Sequence, residues 1–135
     1  MATGNKFNSF VENLAEKVHN LGSDTLKVAL TNSAPVATNT VLANITEVSY
    51  TNLSSRTLTV SASSQTSGTY KLVISDLVLT ATGAVGPFRY IVVYNDTATN
   101  DELIAWYDAG SAITMANTDT VTLDFDGTNG FIQLT

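Results

Sequence analysis

From Thr25 to the end of the chain, apolar and polar residues alternate in short runs, and this two-residue period constrains the fold more than any other feature of the sequence. In the first run, Leu26, Val28 and Leu30 share one face, as in a half-buried β-strand. Further strands are predicted near residues 44–50, 56–62, 69–81, 87–95, 102–108, 118–126 and 130–134, with turn-rich stretches between them. About eight short strands at this spacing predict an antiparallel β-sandwich of jelly-roll type.

One segment near the start has a helical period instead. Its apolar residues recur at steps of three or four, which predicts an amphipathic helix over about residues 6–21; they are Phe7, Phe10, Val11, Leu14, Val18 and Leu21. Asn5 or Asn8 is suited to cap its start, and Gly22 to end it in a left-handed conformation. We expect this stripe to close the protein's own sandwich, and attachment to a partner is the alternative.

Three of the predicted strands have unusual patterns. The apolar parity changes at Ser75 and Asp76, which predicts a bulge or corner within 69–81. The strands 87–95 and 102–108 carry apolar residues on both faces, so each face needs cover from the helix or from another subunit. In the former, one face is predicted to contain Phe88, Tyr90, Val92 and Tyr94.

Length and composition restrict the class of protein. With 135 residues the chain is expected to form a single domain, 1–135, with the helix followed by a β-sandwich over about 25–134. Only 13% of the residues are charged and the formal net charge is −6, which disfavours nucleic-acid binding. Cysteine is absent, and neither a signal peptide nor an apolar run of membrane-spanning length is evident. We therefore expect no membrane partner and no disulfides.

The single histidine, His19, is the first candidate for chemistry. A Ser-His-Asp site would need it, but no nucleophile motif such as G-x-S-x-G accompanies it, and zinc would need further thiols or imidazoles. A structural role is the preferred interpretation, in which a positive His19 interacts with the negative end of the helix dipole.

Carboxylates are concentrated in two places, which are Asp96, Asp101 and Glu102 in one loop and Asp119, Asp124 and Asp126 near the C-terminus. The stretch "DFDGTNG" resembles the start of a calcium loop, so Asp124 and Asp126 are weak candidate metal ligands. Asp-Gly and Asn-Gly are also common hairpin residues, and the turn interpretation is preferred. Convergence of the two groups would indicate a glycosidase-like pair. No cofactor is predicted.

Aromatic residues on the doubly apolar strands offer a third possibility. Tyr90, Tyr94, Trp106 and Tyr107 combine apolar ring faces with polar atoms, as in a sugar-binding platform. Packing in the core or at a subunit interface is preferred, because these rings alternate with Val and Ile. The candidate partner-interface residues are Phe7, Phe10, Tyr90, Tyr94 and Trp106.

Several blocks of the sequence resemble a group of small structural proteins from the virions of tailed bacteriophages. The likeness spans nearly the whole chain and is carried by "KFNSFVENLAEKVHNLGSDTLKVALTNSAP", "SSQTSGTYKLV", "GPFRYIVVYND" and "TLDFDGTNGFIQL". The group has no catalytic motif, so the resemblance implies a structural role and no enzymatic activity.

Within that group, size, acidity and strand pattern are most similar to capsid decoration, or cement, proteins. The resemblance implies a homo-oligomer, often a trimer, that is synthesised in the host cytoplasm, binds the major capsid protein on the outer shell of the virion and stabilises it. The alternatives are a tail, head-tail joining or adhesin component, and a carbohydrate-binding β-sandwich module.

Overall fold

The protein is mainly β, with several antiparallel sheets and a single α-helix within residues 4–135, the part of the chain that the computed structural model describes. The helix α1 is Ser9–Ala15, and one turn of 3-10 helix is formed by Leu42–Asn44. The strands are β1 (Asn5–Lys6), β2 (Leu26–Thr31), β3 (Val60–Thr66), β4 (Thr69–Ile74), β5 (Leu77–Thr80), β6 (Val85–Asn95), β7 (Leu103–Met115), β8 (Thr120–Leu123) and β9 (Ile132–Leu134).

The largest sheet has the strand order β1-β7-β6-β2, and its two long central strands form a hairpin. Val92 of β6 lies opposite Trp106 of β7, and Leu30 of β2 lies opposite Ile91 of β6. The register of β6 against β7 shifts between Phe88 and Tyr90, because Phe88 lies opposite Ile113 and Tyr90 opposite Asp108, so that residues 109–112 of β7 have no partner in β6. The hairpin is therefore bent rather than regular along its length.

A second sheet has the order β3-β4-β9, and a short extended segment joins it to the first. Residues 56–58 pair with β2, where Arg56 accepts from the Val28 amide at 3.0 Å and Leu58 donates to the Leu26 carbonyl at 2.9 Å. The chain then continues into β3 and pairs with β4. The predicted strand 56–62 thus contains the point at which the chain passes from one sheet to the next.

The corner predicted at Ser75 and Asp76 is present. β4 ends at Ile74 and β5 begins at Leu77, and β5 pairs with β8 in a separate two-stranded sheet. The Asp76 carboxylate accepts a hydrogen bond from the Phe125 amide at 2.9 Å, which holds the corner against the segment after β8. The change of apolar parity in the sequence therefore marks a change of sheet.

The main hydrophobic core contains side chains from all three sheets and from the helical region. Its largest fully buried members are Leu26, Leu30, Leu72, Ile74, Leu79, Phe88, Ile104 and Met115. Burial of one such side chain stabilises the fold by about 1.5–3 kcal/mol before entropy is considered. These long-range contacts hold the sheets together without disulfides, since the chain has no cysteine.

The four-stranded sheet is covered on its other face by a smaller cluster. Phe7, Val92, Tyr94 and Leu103 are buried there, and Leu42, Ile45 and Trp106 pack against them. The cover comes from the protein's own chain around the 3-10 turn. The alternation predicted that Phe88 shares this face with Val92 and Tyr94, and this prediction is wrong. The register shift after Phe88 turns its ring into the main core instead.

The helix is much shorter than the predicted span 6–21. Lys17 has a left-handed φ of 69°, the Val18 amide donates to the Asn13 carbonyl at 2.8 Å, and the Lys17 amide donates to Leu14 at 3.4 Å. These two bonds form a Schellman motif, which ends a helix. Lys17 therefore occupies the position that the sequence assigned to Gly22. Asn8 stands at the N-cap position, but its side chain makes no capping hydrogen bond.

The predicted strand 44–50 is irregular instead. Its Val48 amide donates to the Leu30 carbonyl at 3.0 Å, while the Leu30 amide donates to the Tyr50 hydroxyl at 2.9 Å. The Leu30 amide thus donates to a side-chain oxygen rather than to a backbone carbonyl of a neighbouring strand, so residues 44–50 do not form a regular β-ladder with β2. The Arg56 guanidinium lies 3.7 Å from the centre of the Tyr50 ring and fixes the phenol over the edge of β2.

Phe10→Asp should lower the free energy of unfolding by about 3–5 kcal/mol, because it places an unpaired carboxylate in the core, where Phe10 is 5% exposed. Val11→Asp is the matched control, since Val11 is 52% exposed on the same helix and should change stability by about 0.5 kcal/mol or less. Urea denaturation measures both. Equal losses in the two variants would contradict this packing of the helix.

Lys17→Gly should stabilise the protein by about 0.5–1 kcal/mol, because glycine adopts the left-handed conformation without the steric cost that lysine bears. Glu12→Gly is the control inside the same helix and should destabilise by about 1 kcal/mol. The melting temperatures of the three proteins give the comparison. A decrease for Lys17→Gly as large as for Glu12→Gly would show that α1 does not end at this residue.

Candidate functional site

His19 is buried, with 4% of its surface exposed, and lies beyond the end of the helix. The Asn95 amide nitrogen lies 2.9 Å from His19 Nδ1, and an amide nitrogen can only donate. His19 Nδ1 therefore accepts, and the proton of the neutral ring is on Nε2. That atom is buried and has no hydrogen-bond partner among residues 4–135.

The surroundings of His19 favour the uncharged imidazole. Burial lowers its pKa, and the carboxylates of Glu102 and Asp24 oppose this shift only in part. Asn95 is itself fully buried and also donates to Asp24 Oδ2 at 2.7 Å. The predicted role of a positive histidine at the end of a helix dipole is therefore wrong. His19 instead connects the segment after α1 to the end of β6.

This geometry makes stability depend on pH. The folded-state pKa of His19 is below its ordinary value of 6.5, so the unfolded chain binds the extra proton first as the pH falls. The stabilisation is complete above about pH 6.5 and is lost as the pH falls toward the folded-state pKa. His19→Gln, which does not titrate, should show a smaller loss of stability between about pH 7.5 and 5.5. Urea denaturation at both pH values tests this, and parallel losses in the two proteins would contradict it.

Members of the two groups of carboxylates line different cavities, Asp101 in one and Asp124 with Asp126 in the other. Asp101 lies beside Val41 and Asn100, where burial and the neighbouring Asp96 raise its pKa. Asp124 and Asp126 lie in a groove elsewhere. Within residues 4–135, no cluster of three or more carboxylate or histidine side chains has the arrangement of a metal site. The structure thus does not bring these residues together.

The stretch that resembles a calcium loop forms a turn closed by its own hydrogen bonds. Asp126 Oδ1 accepts from the amides of Thr128 and Asn129, both at 2.8 Å, and the Asn129 side chain donates to Asp126 Oδ2 at 2.9 Å. These bonds lower the pKa of Asp126. The weak metal candidates Asp124 and Asp126 therefore lie at a structured turn, and the carboxylate of Asp126 is already engaged.

The five candidate interface residues divide by exposure. Phe7, Phe10 and Tyr94 are buried inside the chain, and Tyr90 and Trp106 are half-buried. The ring centres of Phe7 and Trp106 are 4.6 Å apart. Phe7, Phe10 and Tyr94 thus contribute to the protein's own core, and the surface available to a partner must be formed mainly by other side chains.

A groove of about 640 Å³ lies between the N-terminal segment and the C-terminal strand. It is lined by β1, α1, the start of β7 and β9. Aromatic rings contribute to it: Tyr107, Phe125 and Phe131 have ring centres 6.0–6.3 Å apart. Burial raises the pKa of Tyr107 to about 12, so the phenol remains neutral. We call this feature the β1–β9 groove.

The sides of the β1–β9 groove carry exposed apolar residues. Val11 of α1 is 52% exposed and Leu134 of β9 is 42% exposed. Gly4 lies against the Tyr107 ring, where a β-carbon would come within 2.9 Å of Tyr107 Cε1. Sequence reasoning placed Val11 on the buried stripe and did not find the groove. The apolar stretch "FIQL", residues 131–134, lines the groove and was the feature of the sequence from which the groove could have been suspected.

Comparisons with known proteins give no relatives: no protein-family model matches the chain, and no curated protein and no solved structure matches it. None of the helical segments within residues 4–135 has the length and apolar character needed to cross a membrane.

Proposed function

We propose that the protein is a structural component of a bacteriophage virion, a capsid decoration protein that binds the outer shell as a homo-oligomer, with a trimer as the expected form. Its partners would be the major capsid protein and copies of itself, and it would act without catalysis. The observation that carries the proposal is the resemblance of the sequence to phage virion proteins over nearly the whole chain.

The distribution of the resemblance over the fold supports the proposal. The opening block includes α1 and β2, "GPFRYIVVYND" lies within the central strand β6, and the closing block extends from β8 to β9. In "GPFRY", Gly86 has a φ of 100° and leaves no room for a β-carbon, which would lie 2.7 Å from the Ile113 carbonyl oxygen. Arg89 forms a two-bond ion pair with Asp108 of β7, at 2.7 and 3.0 Å. One of the similar blocks therefore forms a strand of the central hairpin, and its Arg89 pairs with the other strand.

We also propose how the three sheets are arranged relative to one another. We infer a sandwich, of jelly-roll type, in which the four-stranded sheet packs against the two smaller sheets. The supporting observation is the single main core, to which strands of all three sheets contribute, including Leu30 of β2, Leu72 of β4 and Leu123 of β8. Two sheets that share one core pack face to face in most β-proteins.

A decoration protein stabilises its shell by linkage. A ligand that binds only the assembled lattice favours that lattice, and many weak contacts act together through avidity. The surface described above suits this role, because the charged fraction is low and apolar side chains such as Val11, Val36, Val78 and Leu134 are exposed. Hydrophobic burial against the shell would then supply most of the affinity.

A carbohydrate-binding module has less support. Such a module needs exposed aromatic faces. Tyr94 and Tyr107 are buried, and the Trp106 ring is half-buried against Phe7. A tail, head-tail joining or adhesin component uses the same kind of surface, and it differs from a decoration protein only in the partner.

The test is binding of the purified protein to purified, undecorated capsids, with purified tails from the same phage as the control. We expect light scattering to show an oligomer, co-sedimentation with capsids and not with tails, and a higher melting temperature for the decorated shells. Binding to tails alone would assign the protein to the tail. A monomer that binds neither particle would contradict the proposal.

A further inference from the structure

Two strand edges to which no other strand of residues 4–135 is paired border the β1–β9 groove. Backbone pairing is continuous from β1 through β7, β6 and β2, across residues 56–58, and on through β3 and β4 to β9. Within residues 4–135, β1 and β9 are the end strands of this path, and both line the groove. The groove therefore lies where one more strand could join either end.

The direction of the backbone groups on β1 follows from its register. The Phe7 amide donates to the Ile104 carbonyl at 3.1 Å, and Asn5 lies opposite Trp106. Backbone groups in an antiparallel ladder point alternately toward and away from the partner strand. The N–H and C=O of Lys6 therefore point away from β7 and toward the groove side of β1.

The same reasoning applies to β9. Its residues pair with β4 on one side, with Gln133 opposite Lys71 and Leu134 opposite Tyr70. The other side has no strand partner among the described residues. Unpaired backbone donors and acceptors at a strand edge are satisfied by an extended chain, and they are a template for one. This hydrogen-bonding requirement distinguishes the groove from an ordinary apolar cleft.

The side chains around the groove specify what the extended chain would carry. Phe10, Tyr107 and Phe131 form apolar walls, and Val11 and Leu134 add exposed apolar surface at the sides. A strand presents alternate side chains to one face, so every second residue of the occupant would be apolar. This is the pattern of peptide recognition by strand addition.

Charge decides between a second copy and a different polypeptide. Asp124 and Asp126 are exposed at the groove, which the Lys6 ammonium also lines, and the Lys71 ammonium interacts with Asp126 from outside the groove lining. Each copy of the chain has a formal charge of −6, so a basic segment of another polypeptide would be attracted to this groove more strongly than a second copy, which in a homo-oligomer would bind through other surfaces. A segment with Lys or Arg beside its apolar residues would complement the two carboxylates.

We propose that the β1–β9 groove binds an extended segment of a different polypeptide by strand addition, with alternate apolar side chains inside the groove and a basic residue near Asp124 and Asp126. This goes beyond the proposed function, because it assigns a binding mode to one surface whatever assembly the protein joins.

The probe is a displayed library of random peptides of about ten residues, selected against the whole protein. We expect enriched peptides with alternate apolar or β-branched residues and at least one Lys or Arg. Leu134→Glu and Val11→Glu should each weaken an enriched synthetic peptide by at least about tenfold. Val78→Glu is the matched control, because Val78 is 51% exposed on β5 and does not line the groove. It should leave the affinity unchanged.

Backbone N-methylation of the peptide tests strand addition itself. Methylation at alternate residues should abolish binding in one parity and have little effect in the other, because only one set of amides faces a protein edge. Loss of affinity in Val78→Glu as large as in Leu134→Glu would overturn the proposal. So would absence of enriched peptides, tolerance of both methylation patterns, or a dimer of the wild type that Leu134→Glu dissociates, which would assign the groove to a second copy. Capsid binding is measured separately, so the two proposals can fail independently.

Discussion

The pairing of β6 with β7 is the constraint on which the rest of the structure depends. These are the two longest strands, and both of their faces carry apolar side chains that must be removed from water. Ile91 and Val93 point into the main core, and Val92 and Tyr94 point into the smaller cluster on the other face. Side chains of the smaller sheets share the main core with the first face, and Phe7 packs on the second together with Leu42 of the 3-10 turn. The other elements are therefore positioned by packing against the apolar side chains on the two faces of this hairpin.

Local periodicity was sufficient for the class of fold and for several elements. β2 matches its predicted bounds closely, and the corner at Ser75 and Asp76 was visible as a change of apolar parity. Periodicity failed where one residue overrode its neighbours. Lys17 adopts a left-handed conformation, which is uncommon for lysine and could not be predicted from the residue type. The Tyr50 hydroxyl accepts the hydrogen bond from the Leu30 amide that a backbone carbonyl of a neighbouring strand would have accepted. Both events depend on tertiary contacts, which a pattern of apolar positions does not contain.

The candidate sites show the same division. The sequence identified His19 as unusual and its structural role as preferred, but the tautomer of its ring depends on Asn95, which is 76 residues away in the chain. The β1–β9 groove was not predicted, because its two edges come from opposite ends of the sequence. Nothing in the sequence pattern distinguishes its residues, because Val11 fits the apolar stripe of the predicted helix and Leu134 fits a predicted strand. Only the order of strands within residues 4–135 shows that both lie beside an edge to which no other described strand is paired.

The open edges also bear on how the protein avoids uncontrolled association. Long, flat, apolar edges promote aggregation, whereas short edges flanked by charge limit it. β1 has two residues, one of them Lys6, and β9 has three. Such edges offer few backbone hydrogen bonds by themselves, so a partner must add apolar contacts with the groove to bind well. The short edges together with the apolar groove thus favour a specific extended segment over unlimited stacking of identical chains.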